Sequence, residues 1–351
     1  LGDRLVAYSP DKRQQFNFFV VEDTSINAFA MIGGVIGVHT GLLLAASNES
    51  EVASVLGHEM AHVTQRHLTR MIAQQRNDSF KTIAGLALAL LVSRTNPQLS
   101  AGTMTAASAM GVQKELDYTR DHEREADRVG FQILTDAGFD GRAMVSFFNS
   151  LQRGTRFSEG ASPSFLRTHP ITTERIADIA NRVKETHYRQ IPDNPDFLLI
   201  KSKLRASLST PQSAVDEFEA SIRDKRYVDE TSERYGLAVA YMRKNDLIKA
   251  RHEVEWLKNN AKKSAIIETI AAKLEVASNQ PDQAFNLYTR ALNIYPNYRG
   301  LIYGLSEHYL LRNQPEKLIA LIDEKLNLYP DDSYFYELLS RAYAKEGKEL
   351  L

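Results

Sequence analysis

Apolar and polar residues alternate in short runs over the first 45 positions, as in "QFNFFVVED", "NAFAMIGG" and "VIGVHTG". Period-two runs punctuated by Gly33-Gly34 and Gly41 predict two or three strands of a small sheet. The period then changes. Asn48 is a good N-cap, and Glu51 three residues on completes a capping-box pattern. Val52, Val55, Leu56, Ala61 and Val63 follow at helical spacing, predicting one long helix from about Glu49 to Gln75. Further helices are predicted over about Lys114–Ala137, ending at Gly138, over about Gly141–Leu151, and after Pro170, which opens the last of them.

Beyond "QIPDNPD" (Gln190–Asp196) the pattern becomes periodic on a longer scale. Tyr241, Glu275, Tyr309 and Tyr343 stand 34 residues apart. Ala238, Ala272, Ser306 and Ser340 keep the same step, as do Leu237, Ala271, Leu305 and Leu339. Ala250, Ala284 and Leu318 mark a second helix in each unit, and Pro296 and Pro330 close two units. Small residues where helices cross, an aromatic three positions on and a 34-residue period resemble tetratricopeptide repeats. Glu275 departs from that pattern, standing where an aromatic is expected. Ala214 and Phe218 suggest a degenerate unit near 195–226. Such units leave apolar faces open and must stack on one another, which gives a superhelix with a concave surface. The rival reading is an unrelated helical bundle.

Composition narrows the chemistry. The 351 residues carry a formal net charge of −1, so bulk electrostatics give no reason to expect a nucleic-acid partner. There is no cysteine, so any metal must be held by His, Asp or Glu. The longest apolar run, "IAGLALALLV" (Ile83–Val92), has ten residues. A spanning helix needs roughly 20, so no membrane span is expected. The chain starts at Leu1 rather than Met and reads as a processed or trimmed product, from which an export signal can have been removed.

The chemistry centres on "GHEMAH", Gly57 to His62. Residues four apart on a helix share a face, so His58 and His62 can grip one ion. Glu59 lies about 100° further round, beside the ion, where it can take a proton from water. H-E-x-x-H is thus a zinc-hydrolase pattern with a physical reason, set against a chance placing of two histidines on one face. A third donor is sought downstream. Glu123 in "HEREAD" is 61 residues after His62, and Asp127 is one turn further on the same face. The first would complete the ligand set, and the second would accept the free ring N–H of a zinc histidine. Against this stands an ordinary solvated face of Asp121, Glu123, Arg124, Glu125, Asp127 and Arg128. Glu125 is the other candidate ligand but lacks an Asp one turn on. His67, about 180° from His58 on a continuous helix, reads as a surface or packing residue, and His122 as outer or exposed. His39 fits a sheet edge that lines a peptide cleft.

HExxH followed by ExxxD resembles the gluzincin metallopeptidases. With "NAFA…GG…GVHTGLL" before it and "THP…ER" after it, the chain to about residue 190 resembles the HtpX and CAAX-prenyl-endopeptidase family. Joined to tetratricopeptide repeats without membrane spans, the whole is similar to the BepA-type periplasmic proteases of Gram-negative bacteria. The resemblance implies a mostly α (α+β) chain: a zincin-like metallopeptidase domain with a small N-terminal sheet over 1–190, and an α-solenoid of repeats over 191–351. It implies His58, His62 and Glu123 as ligands of one zinc ion, Glu59 as general base and Asp127 as the outer carboxylate. It also brings the "RTHP" loop, with His169, near the active site. There His169 either steadies the oxyanion or, as a fourth ligand, switches the enzyme off; the alternative is a histidine that caps the helix after Pro170. The expected activity is peptide-bond hydrolysis in unfolded or misassembled proteins, with the outer-membrane protein assembly machinery as a possible partner of the repeats and the periplasm as the location. A different class is a chaperone-like assembly factor whose zinc is latent or mainly structural. A lipid or prenyl-protein processor anchored by 83–92 is disfavoured by that run's length. The stretch 83–112 is expected to act as a lid or plug. His187, His252 and His308 read as surface or repeat-packing residues.

Overall fold

A computed structural model describes residues 1–74, 119–157, 163–186 and 191–347. The chain divides into two compact units, Leu1–Asp193 and Asn194–Leu351. The stretch 83–112, with the apolar run and the expected lid, lies outside the described residues, as does His187.

The first unit opens with a short helix α1 (Gly2–Val6) and a three-stranded sheet: β1 (Asn17–Val21), β2 (Ala28–Met31) and β3 (Val35–His39). The strand order is β1-β3-β2, with β1 parallel and β2 antiparallel to β3. The β2–β3 connection turns through Gly33 and Gly34, both at positive φ, a region that glycine enters without steric cost. β3 is therefore the central strand. His39 at its end is buried and bonded to the Ser25 hydroxyl at 2.9 Å, so the expectation of an edge position is corrected. Local alternation reveals a strand but not its neighbours.

After α2 (Thr40–Ala45) comes α3 (Glu49–Thr64). The Asn48 side chain accepts from Glu51 N, and Glu51 reaches back to accept from Ser47 N. Residues Ser50 through Ala61 are all buried. A helix buried on every side must pair each of its polar side chains within the fold. Glu51, for example, also accepts from the Ser146 hydroxyl. α3 ends at Thr64, two residues after His62; Arg66 then adopts φ 55, and a separate helix α4 covers 67–74. The single long helix expected from the apolar period is thus two. α5 is described over 119–136 and closes at Gly138, φ 75. α6 (Arg142–Phe157), the short α7 (Ser164–Thr168) and α8 (Thr173–Glu185) complete the unit. Thr172 caps α8, so Pro170 lies ahead of the helix and does not open it.

The second unit is a run of helices: α9 (Pro195–Leu208), α10 (Pro211–Arg223), α11 (Glu230–Arg243), α12 (Leu247–Asn260), α13 (Ala265–Ala277), α14 (Pro281–Ile294), α15 (Arg299–Leu311), α16 (Pro315–Leu326) and α17 (Ser333–Lys345). The columns at Leu237 and Ala238 and their equivalents are buried as far as Leu339, as are Ala250, Ala284 and Leu318. α9 and α10 form the degenerate unit, with Ala214 and Phe218 buried. The turns inside the α11–α12, α13–α14 and α15–α16 pairs use αL residues, Asn245, Asn279 and Asn313, at φ 64, 55 and 54. Asparagine tolerates this conformation better than most residues. The next residue closes a Schellman motif, as in Asp246 N to Tyr241 O, Gln280 N to Glu275 O and Gln314 N to Tyr309 O. Glu275, out of pattern in the sequence, is buried and takes a two-pronged ion pair from Arg251 at 2.5 and 2.9 Å.

Candidate metal centre

α3 carries His58, Glu59 and His62, α5 carries Glu123 and Asp127, and His169 follows α7. Glycine lets the two main helices meet. A Cβ on Gly130 would lie 2.8 Å from the backbone N of His58, and one on Gly57 3.0 Å from the carbonyl oxygen of Gly130. Backbone against backbone at this crossing brings Glu123 within reach of His58 and His62, and Asp127 within reach of His58.

One donor atom each from His58, His62, Glu123 and His169 falls within a 4.8 Å group. His58 Nε2 is 3.1 Å from His62 Nε2 and 3.3 Å from His169 Nδ1. Glu123 Oε1 is 3.3 Å from His62 Nε2 and 3.0 Å from His169 Nδ1. Tetrahedral bonds of about 2.0–2.1 Å place donors about 3.3 Å apart, so this N₃O set fits a metal ion of zinc's size. Glu59 is buried beside the group. Its Oε1 has no hydrogen-bond partner among the described residues and lies 3.4 Å from His169 Nε2. That leaves a carboxylate oxygen able to receive a proton.

An outer layer holds the donors. Asp127 Oδ1 is 3.1 Å from His58 Nδ1, a contact that favours the Nδ1 proton in the neutral ring and leaves the lone pair of Nε2 for a metal ion. Asp127 is gripped in turn by Arg175 through two bonds of 2.6 and 2.7 Å. The same guanidinium lies 2.9 Å from Glu123 Oε2 and donates to the Pro170 carbonyl at 2.7 Å. Arg175 is buried and tethers the His169 loop to both carboxylates. Sequence reasoning noted it only within "THP…ER". Its signal was placement one turn before Ile179, on the buried stripe of α8, where an arginine needs a buried acid.

Burial lowers the proton affinity of His58, but Asp127 and Glu123 outweigh it and push the ring up to about 9. Burial lowers His62. Glu123 is raised by burial, yet hydrogen bonds from His169, His58 and His62 hold it well below the usual carboxylate range. Asp127 is likewise held down against burial by Arg175 and His58. The pocket therefore keeps two carboxylates charged and favours a positive charge between them.

His67, expected as a surface or packing residue, takes the second of these and lies against His62. It is buried, with Nδ1 2.9 Å from His62 Nδ1 and Nε2 3.1 Å from Glu125 Oε2. The break at Arg66 swings it to the side of α3 that bears His62. His122 is buried too and stacks on His67, with ring centres 4.2 Å apart. Glu125, the alternative ligand, pairs instead with His67 and with Arg70 at 2.9 Å. Burial first, then the neighbouring His62, lowers the His67 ring to about 4, so it is neutral.

A family model described as "Peptidase family M48" matches residues 2–183, and one described as "Tetratricopeptide repeat" matches residues 275–342. "Beta-barrel assembly-enhancing protease" of Escherichia coli (strain K12) is 30% identical over 350 residues, 98% of this chain and 70% of that protein. A Vibrio cholerae protein named for the same activity is 39% identical over 247 residues, 69% of this chain; the match spans 50% of that relative's length. "Mitochondrial metalloendopeptidase OMA1" of Schizosaccharomyces pombe is 26% identical over 187 residues, 53% of this chain and 52% of that protein.

Proposed function

The chain belongs to peptidase family M48, and from that premise we propose a zinc-dependent endopeptidase that cleaves misfolded or stalled outer-membrane proteins. The observation that carries the reading is the convergence of His58, His62 and Glu123 donors with the Glu59 carboxylate beside them. The choice of zinc is supported by the N₃O donor set and the 3.0–3.4 Å donor spacings. A bound zinc ion supplies Lewis-acid polarisation of the scissile carbonyl and acidifies water. Glu59 takes the proton of the attacking water on a carboxylate oxygen and returns it to the leaving amine as the C–N bond breaks. Asp127 holds the His58 tautomer, and Arg175 holds Asp127. The repeats select the substrate or a partner, a role such stacked helix pairs commonly serve. Relatives named for beta-barrel assembly support outer-membrane proteins as the clients and the periplasm as the site of action. The described residues contain no helix long and apolar enough to cross a membrane.

A second reading rests on His169. Its Nδ1 sits among the other three donors, and four protein donors make a closed site, which is structural or latent in character. The protein would then act mainly as an assembly factor, with proteolysis released when His169 leaves.

The test is cleavage of an unfolded outer-membrane barrel protein by the zinc-loaded chain, its Glu59→Gln variant and its His169→Ala variant. Cleavage by the parent, a loss of more than about 100-fold in Glu59→Gln, and a gain in His169→Ala support a peptidase held back by His169. A loss in His169→Ala makes that residue a helper of catalysis. Equal cleavage by parent and Glu59→Gln would sink the mechanism.

A further inference from the structure

His67 and Glu125 belong to no part of the mechanism above, yet they lie in line with His62. The contacts fix the protons along that line. A carboxylate only accepts, so the 3.1 Å contact to Glu125 puts the His67 proton on Nε2. Two ring nitrogens 2.9 Å apart need one proton between them, so His67, with its proton on Nε2, offers the lone pair of Nδ1. That lone pair lies 2.9 Å from His62 Nδ1, which must carry the His62 proton. His62 is left with its lone pair on Nε2, the atom 3.1 Å from His58 Nε2 and 3.3 Å from Glu123 Oε1. We infer that His67, backed by Glu125, is a positioning residue that sets the tautomer and ring plane of His62 for metal binding. Asp127 performs this task for His58 in one step; for His62 it takes two, through an imidazole and then a carboxylate.

Local structure supports the assignment. His67 reaches His62 only because the chain leaves the α3 helix at Arg66, in a left-handed conformation that costs a non-glycine residue about 1–2 kcal/mol. On a continuous helix five residues would carry His67 about 140° from His62. His122 stacks flat on the His67 ring, at 13°, and fixes its plane. Arg70 donates to the same oxygen, Glu125 Oε2, at 2.9 Å and holds it in place. A break, a stack and an ion pair thus converge on the orientation of one imidazole.

The inference rests on His62 being a metal donor, and the test separates the two. Zinc affinity of the full chain is measured by chelator competition for the parent, His67→Ala, His67→Asn and Glu125→Gln. The cobalt(II) visible spectrum is recorded for each, with the far-UV signal of the metal-free proteins as a folding control. Loss of an outer partner typically costs 10–100-fold in affinity, and that is the expected loss for His67→Ala, with a changed cobalt spectrum. Asn keeps an acceptor where Nδ1 stood, so His67→Asn should recover most of the affinity and the parent spectrum. Glu125→Gln should fall between parent and His67→Ala. Parent affinity and spectrum in a folded His67→Ala would overturn the inference. So would a His67→Asn no better than Ala, which would make His67 a packing residue. Should His67→Ala fail to fold, the half-exposed Glu125 decides, and an unchanged Glu125→Gln overturns it. A parent that takes up no metal removes both this inference and the proposed centre.

Discussion

At the scale of residues, the donors are held by acids that they in turn keep charged. His58 shows what this means for stability. Its folded value of about 9 lies above the roughly 6.5 of an unfolded histidine. A raised pKa contributes stability that is complete below the unfolded value and is lost as pH rises through the folded one. The metal-free protein should therefore lose stability between about pH 6.5 and 9, by at most about 1.4 kcal/mol per pH unit. Thermal unfolding across that range reads the slope, and Asp127→Asn, which removes the first of the raising partners, should flatten it. The sharing of a face by His58 and His62, and by Glu123 and Asp127, was legible because helical period fixes neighbours one turn apart. His67 and Arg175 were not. The first depends on a break at Arg66 that no propensity announces, and the second on acids 48 and 52 residues away.

At the scale of elements, the approach of α3 and α5 decides whether the acids reach the histidines. A methyl at residue 130 would meet backbone atoms of Gly57 and His58 at 2.8–2.9 Å, and neither can rotate aside. Gly130→Ala should cost about 1–3 kcal/mol through forced separation, with weaker metal binding, as urea unfolding and chelator competition would show. Gly57→Ala, whose closest contact is 3.0 Å, should cost less. Elements defined by period were readable in the sequence: the sheet runs, α3 as far as His62, and the repeat helices. Strand order was not, because β3 takes the centre through pairing that spans β2. The repeat columns were strong because they recur. Asn245, Asn279 and Asn313 recur equally and mark the turns, a signal of backbone conformation that hydrophobic columns do not contain.

At the scale of the molecule, two units carry separate cores, and the candidate centre lies wholly in the first. A ligand that binds only the folded form stabilises what it binds, by about 2.7 kcal/mol at 100 times its Kd. Chelation should then lower one of two calorimetric transitions by about 5–10 °C and leave the other in place. A common shift of both would show that the units unfold as one. The regular phase of the turns in the second unit has a further consequence. Asn245 and Asn279 stand at equivalent points with the same backbone geometry, so joining Asn245 directly to Gln280 recreates a peptide junction the chain already contains. Genetic gain or loss of a 34-residue cassette there meets its resistance in side-chain packing between newly adjacent units, not in the backbone. The number of repeats can drift by whole cassettes while the M48 half keeps its own sequence unaltered.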